Sequence, residues 1–209
     1  MRAVGENAKR VFFEDQVFYV LPEVYEPAED TFLLAENLEA KPDGKVLDIG
    51  TGSGILAVLS ALKGAQVVAV DINPRAVRCA KLNAEVNDVS EKVDIVCGDL
   101  FGPLTREGLF DVVLFNAPYL PTEDDEPEDW LNYAWTGGRT GRQIIDRFIE
   151  HVPGYLTGGG RVLLVQSTLS DVSRTIKELA ERGFKTRIRG ECKAAFETIT
   201  LVEAAKIAR

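Results

Sequence analysis

The stretch Asp48-Ile49-Gly50-Thr51-Gly52-Ser53-Gly54 decides the fold of this 209-residue chain. The strand-like run Val46-Leu47-Asp48-Ile49 leads into it, and a helical pattern from Ser53 to Leu62 follows. Glycines at alternate positions let the backbone turn tightly and come close to a ligand. The stretch therefore predicts the first strand–helix turn of an α/β domain, with a ligand site beyond the carboxyl end of the strand.

Strands and helices alternate on both sides of this turn. Further strands are predicted at 67–70, 93–96, 111–115 and 161–166, and further helices at 74–86, 142–151 and 171–182. The last two strands, 184–189 and 197–202, have a short connection and should pair antiparallel. We therefore expect a Rossmann-like seven-stranded, mostly parallel sheet with helices on both faces and a C-terminal antiparallel pair.

The N-terminal part of the chain has a different pattern. Two short apolar runs, 11–13 and 17–20, flank Glu14-Asp15-Gln16 and predict a hairpin, and a helix is predicted over 29–38. We interpret residues 1–209 as one domain, with a hairpin extension over 1–28 and the catalytic core over 29–209.

Composition narrows the classes of function. The net charge is −9 and the pI about 4.8, so a generic nucleic-acid or anionic-membrane binder is disfavoured. The three widely spaced cysteines form no zinc ligand pair and predict no disulfide framework. No signal peptide or membrane-spanning run is evident, so we expect a soluble cytoplasmic protein.

Three carboxylates at or beyond the carboxyl ends of the predicted strands point to a nucleoside-containing cofactor. Asp71 ends the second strand and could bind both ribose hydroxyls, and Asp99 could bind an adenine amino group. The loop reads Gly-x-Gly-x-Gly, not the Gly-x-Gly-x-x-Gly of dinucleotide sites, and Asp48 would repel a pyrophosphate but suits an ammonium group. These residues favour S-adenosylmethionine over a nicotinamide dinucleotide and an oxidoreductase.

The tetrapeptide Asn116-Ala117-Pro118-Tyr119 lies at the carboxyl end of the strand 111–115. Its amide and carbonyl oxygens can accept hydrogen bonds from a planar –NH2 group, and Tyr119 offers an aromatic face. Next to a sulfonium methyl, such a site predicts direct methyl transfer to nitrogen. No general base is needed before that transfer, and His151 is interpreted as a solvated or capping residue.

Three segments carry a resemblance to a known family: Val24 to Leu34, Asp71-Ile72-Asn73-Pro74, and Ala134 to Phe148. The chain resembles the HemK-related class I methyltransferases, in particular the short eukaryotic and archaeal branch that methylates the glutamine amide in a Gly-Gly-Gln loop of the class I translation release factor. The family pattern Asn-Pro-Pro-Tyr is here changed by Ala117, which loses some backbone rigidity.

The resemblance also implies roles for individual residues. Asn116 and Ala117 would hold the glutamine amide, with Pro118 completing the motif and Tyr119 packing on the amide. The cofactor site would comprise Thr31, Asp48, Gly50, Gly52, Gly54, Asp71, Asp99, Leu100 and Asn116. The branch works with a small zinc-binding activator subunit, which we expect to pair along the apolar edge strand 93–96.

Other interpretations stay open at this point. The acidic run 123–129 is either a solvated loop or a landing site for a basic substrate. Trp135 is either a lid or a core residue. The same tetrapeptide would also serve methylation of adenine in DNA or RNA, or of protein lysine, and a non-catalytic cofactor-binding subunit is a further alternative.

Overall fold

Nine β-strands and six α-helices form the part of the chain that the computed structural model describes, residues 8–105, 110–123 and 129–207. The strands are β1 (Lys9–Phe13), β2 (Gln16–Val20), β3 (Lys45–Ile49), β4 (Gln66–Asp71), β5 (Val93–Cys97), β6 (Phe110–Asn116), β7 (Leu156–Ser167), β8 (Phe184–Lys193) and β9 (Thr198–Lys206). The helices are α1 (Glu29–Glu36), α2 (Ile55–Leu62), α3 (Pro74–Val86), α4 (Trp130–Tyr133), α5 (Gln143–His151) and α6 (Val172–Glu181).

Seven of these strands form one sheet in the order β5-β4-β3-β6-β7-β9-β8. The strands from β5 to β7 pair in parallel, whereas β9 pairs antiparallel with both β7 and β8. The predicted seven-stranded sheet with a C-terminal antiparallel pair is therefore confirmed. The strand β5 lies at one edge of the sheet and β8 at the other, so the predicted edge position of residues 93–96 is also confirmed.

Burial on both faces explains why the central strands are so apolar. Val113, Leu114 and Phe115 of β6 are all buried, as expected for a parallel strand between two helical layers. The helix α2 is buried over seven of its eight residues, Ile55 to Ala61, so it is apolar all round instead of having one polar face. The core thus surrounds the strands that carry the ligand-site residues at their carboxyl ends.

The N-terminal hairpin is confirmed as β1 paired antiparallel with β2. It is fixed to α3, because the Asn83 side chain accepts a hydrogen bond from Tyr19 N and donates one to Tyr19 O, both at 2.7 Å. The division into a 1–28 extension and a 29–209 core stays a prediction. No described helix is long and apolar enough to cross a membrane.

The helix α4 was not predicted from the sequence. The carboxylate of Asp129 caps its N-terminus by accepting a hydrogen bond from Asn132 N at 2.8 Å. Trp135, which follows α4, is half-buried and does not line the cleft described below, whereas Trp130 and Tyr133 do. Most of the acidic run, residues 124–128, lies outside the described residues.

Candidate active site

A cleft of about 440 Å³ opens at the carboxyl ends of β3, β4 and β6. Its volume lies in the range of small-molecule sites, about 300–1,000 Å³. Several predicted site residues line it: Thr31, Gly50, Gly52, Asp71, Asp99, Leu100, Asn116 and Pro118. Residues from distant parts of the sequence thus meet in one place, as expected beyond the ends of parallel strands.

The glycine loop forms one wall of the cleft. Gly50 and Gly52 have positive φ angles of 65° and 56°, which glycine adopts without steric cost. A Cβ at either position would meet no atom closer than 3.6 Å. Gly54 also has a positive φ, but a Cβ there would lie 2.8 Å from Cα of Ala80 in α3. Gly54 is therefore required by the packing of α2 on α3, and it does not line the cleft.

Asp71 is buried at the end of β4 and holds the glycine loop to that strand. Its Oδ2 accepts a hydrogen bond from Gly52 N, and its Oδ1 accepts one from Asn73 N, both at 2.8 Å. Burial raises the pKa of Asp71, and these two hydrogen bonds oppose the rise. Each carboxylate oxygen keeps acceptor capacity for a further donor, such as a ribose hydroxyl.

Asp99 forms an ion pair with Arg147 of α5 across the cleft mouth. Both residues line the cleft, and both side chains are about half exposed. Arg147 lies in the third family segment, and no role was predicted for it from the sequence. The pair engages the Oδ2 atom of Asp99, the residue that the sequence predicted to contact adenine.

Asn116 lies at the end of β6, and the two ends of its carboxamide differ in environment. Its Nδ2 donates a hydrogen bond to Oγ1 of Thr31 at 3.2 Å. Its Oδ1 is buried and has no hydrogen-bond partner in the described structure. A buried carbonyl oxygen without a partner costs about 1–3 kcal/mol, so a donor brought by a ligand would be bound favourably.

The residues that follow Asn116 in the tetrapeptide contact the sheet and the core behind the cleft. Ala117 is buried and its N–H donates to Val165 O of β7 at 3.3 Å, a tether that proline could not make. Pro118 lines the cleft, whereas Ala117 and Tyr119 pack behind its wall. Burial raises the pKa of Tyr119, and the nearby Asp30 carboxylate adds to the rise.

Asp48 lies fully buried below the glycine loop and is not part of the cleft wall. Its Oδ2 accepts a hydrogen bond from Thr51 Oγ1 at 2.6 Å, and its Oδ1 has no hydrogen-bond partner in the described part of the chain. Burial raises the pKa of Asp48 to about 7, and the nearby Asp71 carboxylate adds to the rise. The hydrogen bond from Thr51 opposes it. The structure thus supplies a carboxyl with one unused oxygen close to the loop.

Tyr25 and Asp30 are among the residues of the site that were not predicted from the sequence. Tyr25 lines the cleft, and the buried Asp30 contacts both Tyr25 and Thr31. Both residues lie in the family segment Val24 to Leu34, which could have drawn attention to them. The sequence does not indicate which polar residues of that segment face the cleft. The cofactor-binding and catalytic roles assigned from the sequence stay predictions.

Comparisons with known proteins identify relatives of the chain. The family model described as ribosomal protein L11 methyltransferase (PrmA) matches residues 31–117. A Methanocaldococcus jannaschii protein, provisionally named protein N5-glutamine methyltransferase, is 48% identical over 88% of this chain and 92% of its own. Human methyltransferase HEMK2 is 33% identical over 97% of this chain and 99% of its own.

A solved structure shares the architecture. The E. cuniculi Mtq2–Trm112 complex, responsible for methylation of the eRF1 translation termination factor, matches with a TM-score of 0.66 and 31% identity. The match covers 88% of this chain and 99% of that one. The chain belongs to the HemK-related protein N5-glutamine methyltransferases, a family of enzymes.

Proposed function

We propose that the chain transfers a methyl group from S-adenosylmethionine to the side-chain amide nitrogen of the glutamine in the Gly-Gly-Gln loop of a class I translation release factor. The observation that carries the proposal is the buried Oδ1 of Asn116, which has no hydrogen-bond partner among the described residues. Asn116 lines the same cleft as the glycine loop and Asp71. A relative named for N5-glutamine methylation and a solved relative that methylates the eRF1 termination factor support the choice of acceptor.

The residues of the cleft suit the cofactor. Asp71 would bind the ribose, Asp99 the adenine amino group, and Asp48 would face the ammonium group below the loop. When bound, S-adenosylmethionine supplies a methyl group on a positively charged sulfur, which is the electrophile of the reaction. The Gly-x-Gly-x-Gly spacing and the carboxyl of Asp48 behind the loop disfavour a pyrophosphate there, and with it the oxidoreductase alternative.

Asn116 and Ala117 would act on the acceptor. A glutamine amide nitrogen is a weak nucleophile because its lone pair is delocalised. The Asn116 Oδ1 atom and the Ala117 carbonyl would accept hydrogen bonds from its two N–H groups and shift electron density toward the nitrogen. Holding the acceptor in line with the methyl group contributes roughly 7–11 kcal/mol in favourable cases. Tyr119, packed behind the cleft wall, would support the tetrapeptide that holds the amide.

We further propose that the chain works with a small zinc-binding activator subunit that adds to the edge strand β5. The edge is short, and Ile95 and Val96 are only partly buried, so an added strand would cover them. The Trm112 subunit of the related E. cuniculi complex supports this assignment. A chain that is soluble, monomeric and fully active alone would contradict it.

A labelling experiment tests the function. The protein is incubated with labelled S-adenosylmethionine and, in separate reactions, release factor, a histone tail and oligonucleotides, each with and without the activator. We expect label on the release-factor glutamine. Label found only on lysine would favour the lysine alternative, and label found only on nucleic acid would end the proposal.

Asn116→Ala is the first variant to measure. Loss of one aligned polar contact should reduce kcat by roughly 10²–10³-fold and leave the Kd for S-adenosylmethionine nearly unchanged. Asp71→Ala is the matched comparison, because it should weaken cofactor binding instead. A wild-type kcat in Asn116→Ala would show that Asn116 does not take part in the reaction.

A further inference from the structure

The hydroxyl of Thr31 connects Asn116 to a buried carboxylate. Thr31 Oγ1 lies 3.1 Å from Oδ1 of Asp30 and 3.2 Å from Nδ2 of Asn116. A hydroxyl has one hydrogen to donate, and a carboxylate can only accept. The hydroxyl hydrogen therefore points to Asp30, and the lone pairs of Oγ1 face Asn116.

The direction of the Thr31 hydroxyl hydrogen determines the orientation of the Asn116 carboxamide. The lone pairs of Thr31 Oγ1 accept a hydrogen bond from the NH2 end of the amide, and they would repel its oxygen end. The oxygen end must then face away from Thr31, and it is this Oδ1 atom that is buried without a partner. In the flipped orientation the NH2 end would face the acceptor –NH2 group, and two donors would meet.

Asp30 is itself held by both of its oxygens. Its Oδ1 also accepts from Thr31 N at 2.6 Å, and its Oδ2 accepts from the Tyr25 hydroxyl at 3.0 Å. The residue is 5% exposed and lies in the first turn of α1, where the helix dipole stabilises a carboxylate. Asp30 is thus a fixed acceptor at the start of a chain of hydrogen bonds that ends at Asn116.

We propose that Tyr25, Asp30 and Thr31 are positioning residues that set the orientation of the Asn116 carboxamide for the acceptor amide. The inference rests on the proposed function for its catalytic meaning. Its structural content is separate, namely that Thr31 acts through Asn116. A role of Thr31 in cofactor binding alone would predict a changed cofactor Kd and no coupling to Asn116.

A double-mutant cycle on turnover separates these two roles. Thr31→Val keeps the side-chain shape and removes the hydroxyl, so we expect kcat to fall about tenfold, with the Kd for S-adenosylmethionine within about threefold of wild type. In the Asn116→Ala background, Thr31→Val should change kcat by less than about twofold, because the group it orients is gone. Thr31→Ser restores the hydroxyl and should recover most of the kcat.

Thr175→Val is the matched control. Thr175 is a buried threonine whose hydroxyl accepts a hydrogen bond from Arg142, away from the cleft wall. It should lower the melting temperature and leave kcat unchanged in both backgrounds. Equal losses from Thr31→Val with and without Asn116 would overturn the inference, as would a large rise in cofactor Kd at constant kcat.

A measurement without turnover keeps the inference separate from the proposed function. The side-chain NH2 signal of Asn116 can be assigned in a ¹⁵N NMR spectrum by its loss in Asn116→Asp. Thr31→Val should speed its exchange with water about tenfold or more, and Thr31→Ser should not. Unchanged exchange in Thr31→Val would overturn the positioning role. If release factor is not methylated by the wild type, the proposed function fails, and this measurement still decides the inference.

Discussion

Asp48 is a carboxyl whose surroundings favour its protonated form. Its pKa of about 7 lies above the ordinary value of 3.8, because burial opposes ionisation. Between these two pH values the folded chain holds more protons than the unfolded chain. The free energy of unfolding therefore falls as the pH rises through this window and levels off above it.

The pH dependence of stability checks this effect. Between pH 5 and 8, the cofactor-free wild type should lose about 2–4 kcal/mol of unfolding free energy relative to Asp48→Asn. Urea unfolding of both proteins at several pH values measures the difference. Asp94→Asn, which changes an exposed carboxyl on β5, should follow the wild type. Parallel pH profiles for wild type and Asp48→Asn would contradict the assignment.

Single residues were predicted well where a motif is continuous in the sequence. Asn116, Asp71 and Asp99 all lie in the cleft, as their positions after strands implied. The partner of Asn116 was beyond prediction, because Thr31 lies 85 positions earlier and its hydroxyl polarity depends on Asp30. The sequence also could not separate Gly54, which packs on Ala80, from the two glycines of the cleft wall.

At the scale of elements, Arg142 joins α5 to α6 and to the turn before α6. Its guanidinium donates to Ser170 O, Asp171 O and Thr175 Oγ1 at 2.7–2.9 Å, and it pairs with Asp146 and Glu178. The side chain is 3% exposed. A buried cation with this many partners holds the two helices in one arrangement.

Arg142→Met should be strongly destabilising. It removes the buried cation that two backbone carbonyls, the Thr175 hydroxyl and two carboxylates share, and the loss should be about 3–5 kcal/mol of unfolding free energy. Arg174→Met is a close control, because Arg174 pairs with the same Asp146 and Glu178 from a side chain that is 48% exposed. Its loss should stay below about 1 kcal/mol. Similar losses of unfolding free energy for Arg142→Met and Arg174→Met, measured by thermal or urea unfolding, would contradict this prediction.

The edge strand β5 gives a prediction about assembly. Ile95→Asp places a charge in the surface that an added strand would cover, so it should abolish the complex with the activator in co-purification and sedimentation. Ile188→Asp changes an isoleucine of β8 at the opposite edge, 47% exposed, and should leave the complex intact. Circular dichroism of both variants controls for folding. Loss of the complex in Ile188→Asp alone would move the interface to β8.

Elements with strong periodicity were predicted almost to the residue. The helix over 74–86 and the strand over 93–96 agree with α3 and β5. The predicted strand 161–166 proved too short, because β7 begins at Leu156 and runs through Gly158, Gly159 and Gly160, which mask a strand pattern. The four-residue helix α4 has too little periodicity to be recognised, although its Asp129 cap was a usable signal.

At the scale of the whole molecule, charge should govern the encounter with the substrate. A net charge of −9 creates a field that attracts a basic protein surface and is screened by salt. The apparent KM for release factor should therefore rise several-fold between low and high salt, at roughly constant kcat. Replacing Asp124 and Asp125 by asparagine should reduce this salt dependence. A KM independent of salt would leave the acidic run without a role in docking.

The overall topology followed from alternation of strands and helices, since parallel strands need crossover helices. The position of β9 between β7 and β8 did not follow, because pairing of the last two strands fixes their mutual direction and not which of them joins β7. That choice depends on burial: β9 is buried along most of its length, and β8 is largely exposed.

The contact between Gly54 and Ala80 also predicts which glycines of the loop homologues should retain. A side chain at position 54 would collide with main-chain atoms of α3, so no trimming at position 80 could make room for it. Positions 50 and 52 have space for a Cβ, and asparagine or aspartate tolerates their backbone angles. A homologue that had lost methyltransferase activity should therefore still have glycine at position 54, whereas positions 50 and 52 should accept other residues. In such a homologue the third glycine would reflect the shared fold, and the first two would reflect a retained cofactor site.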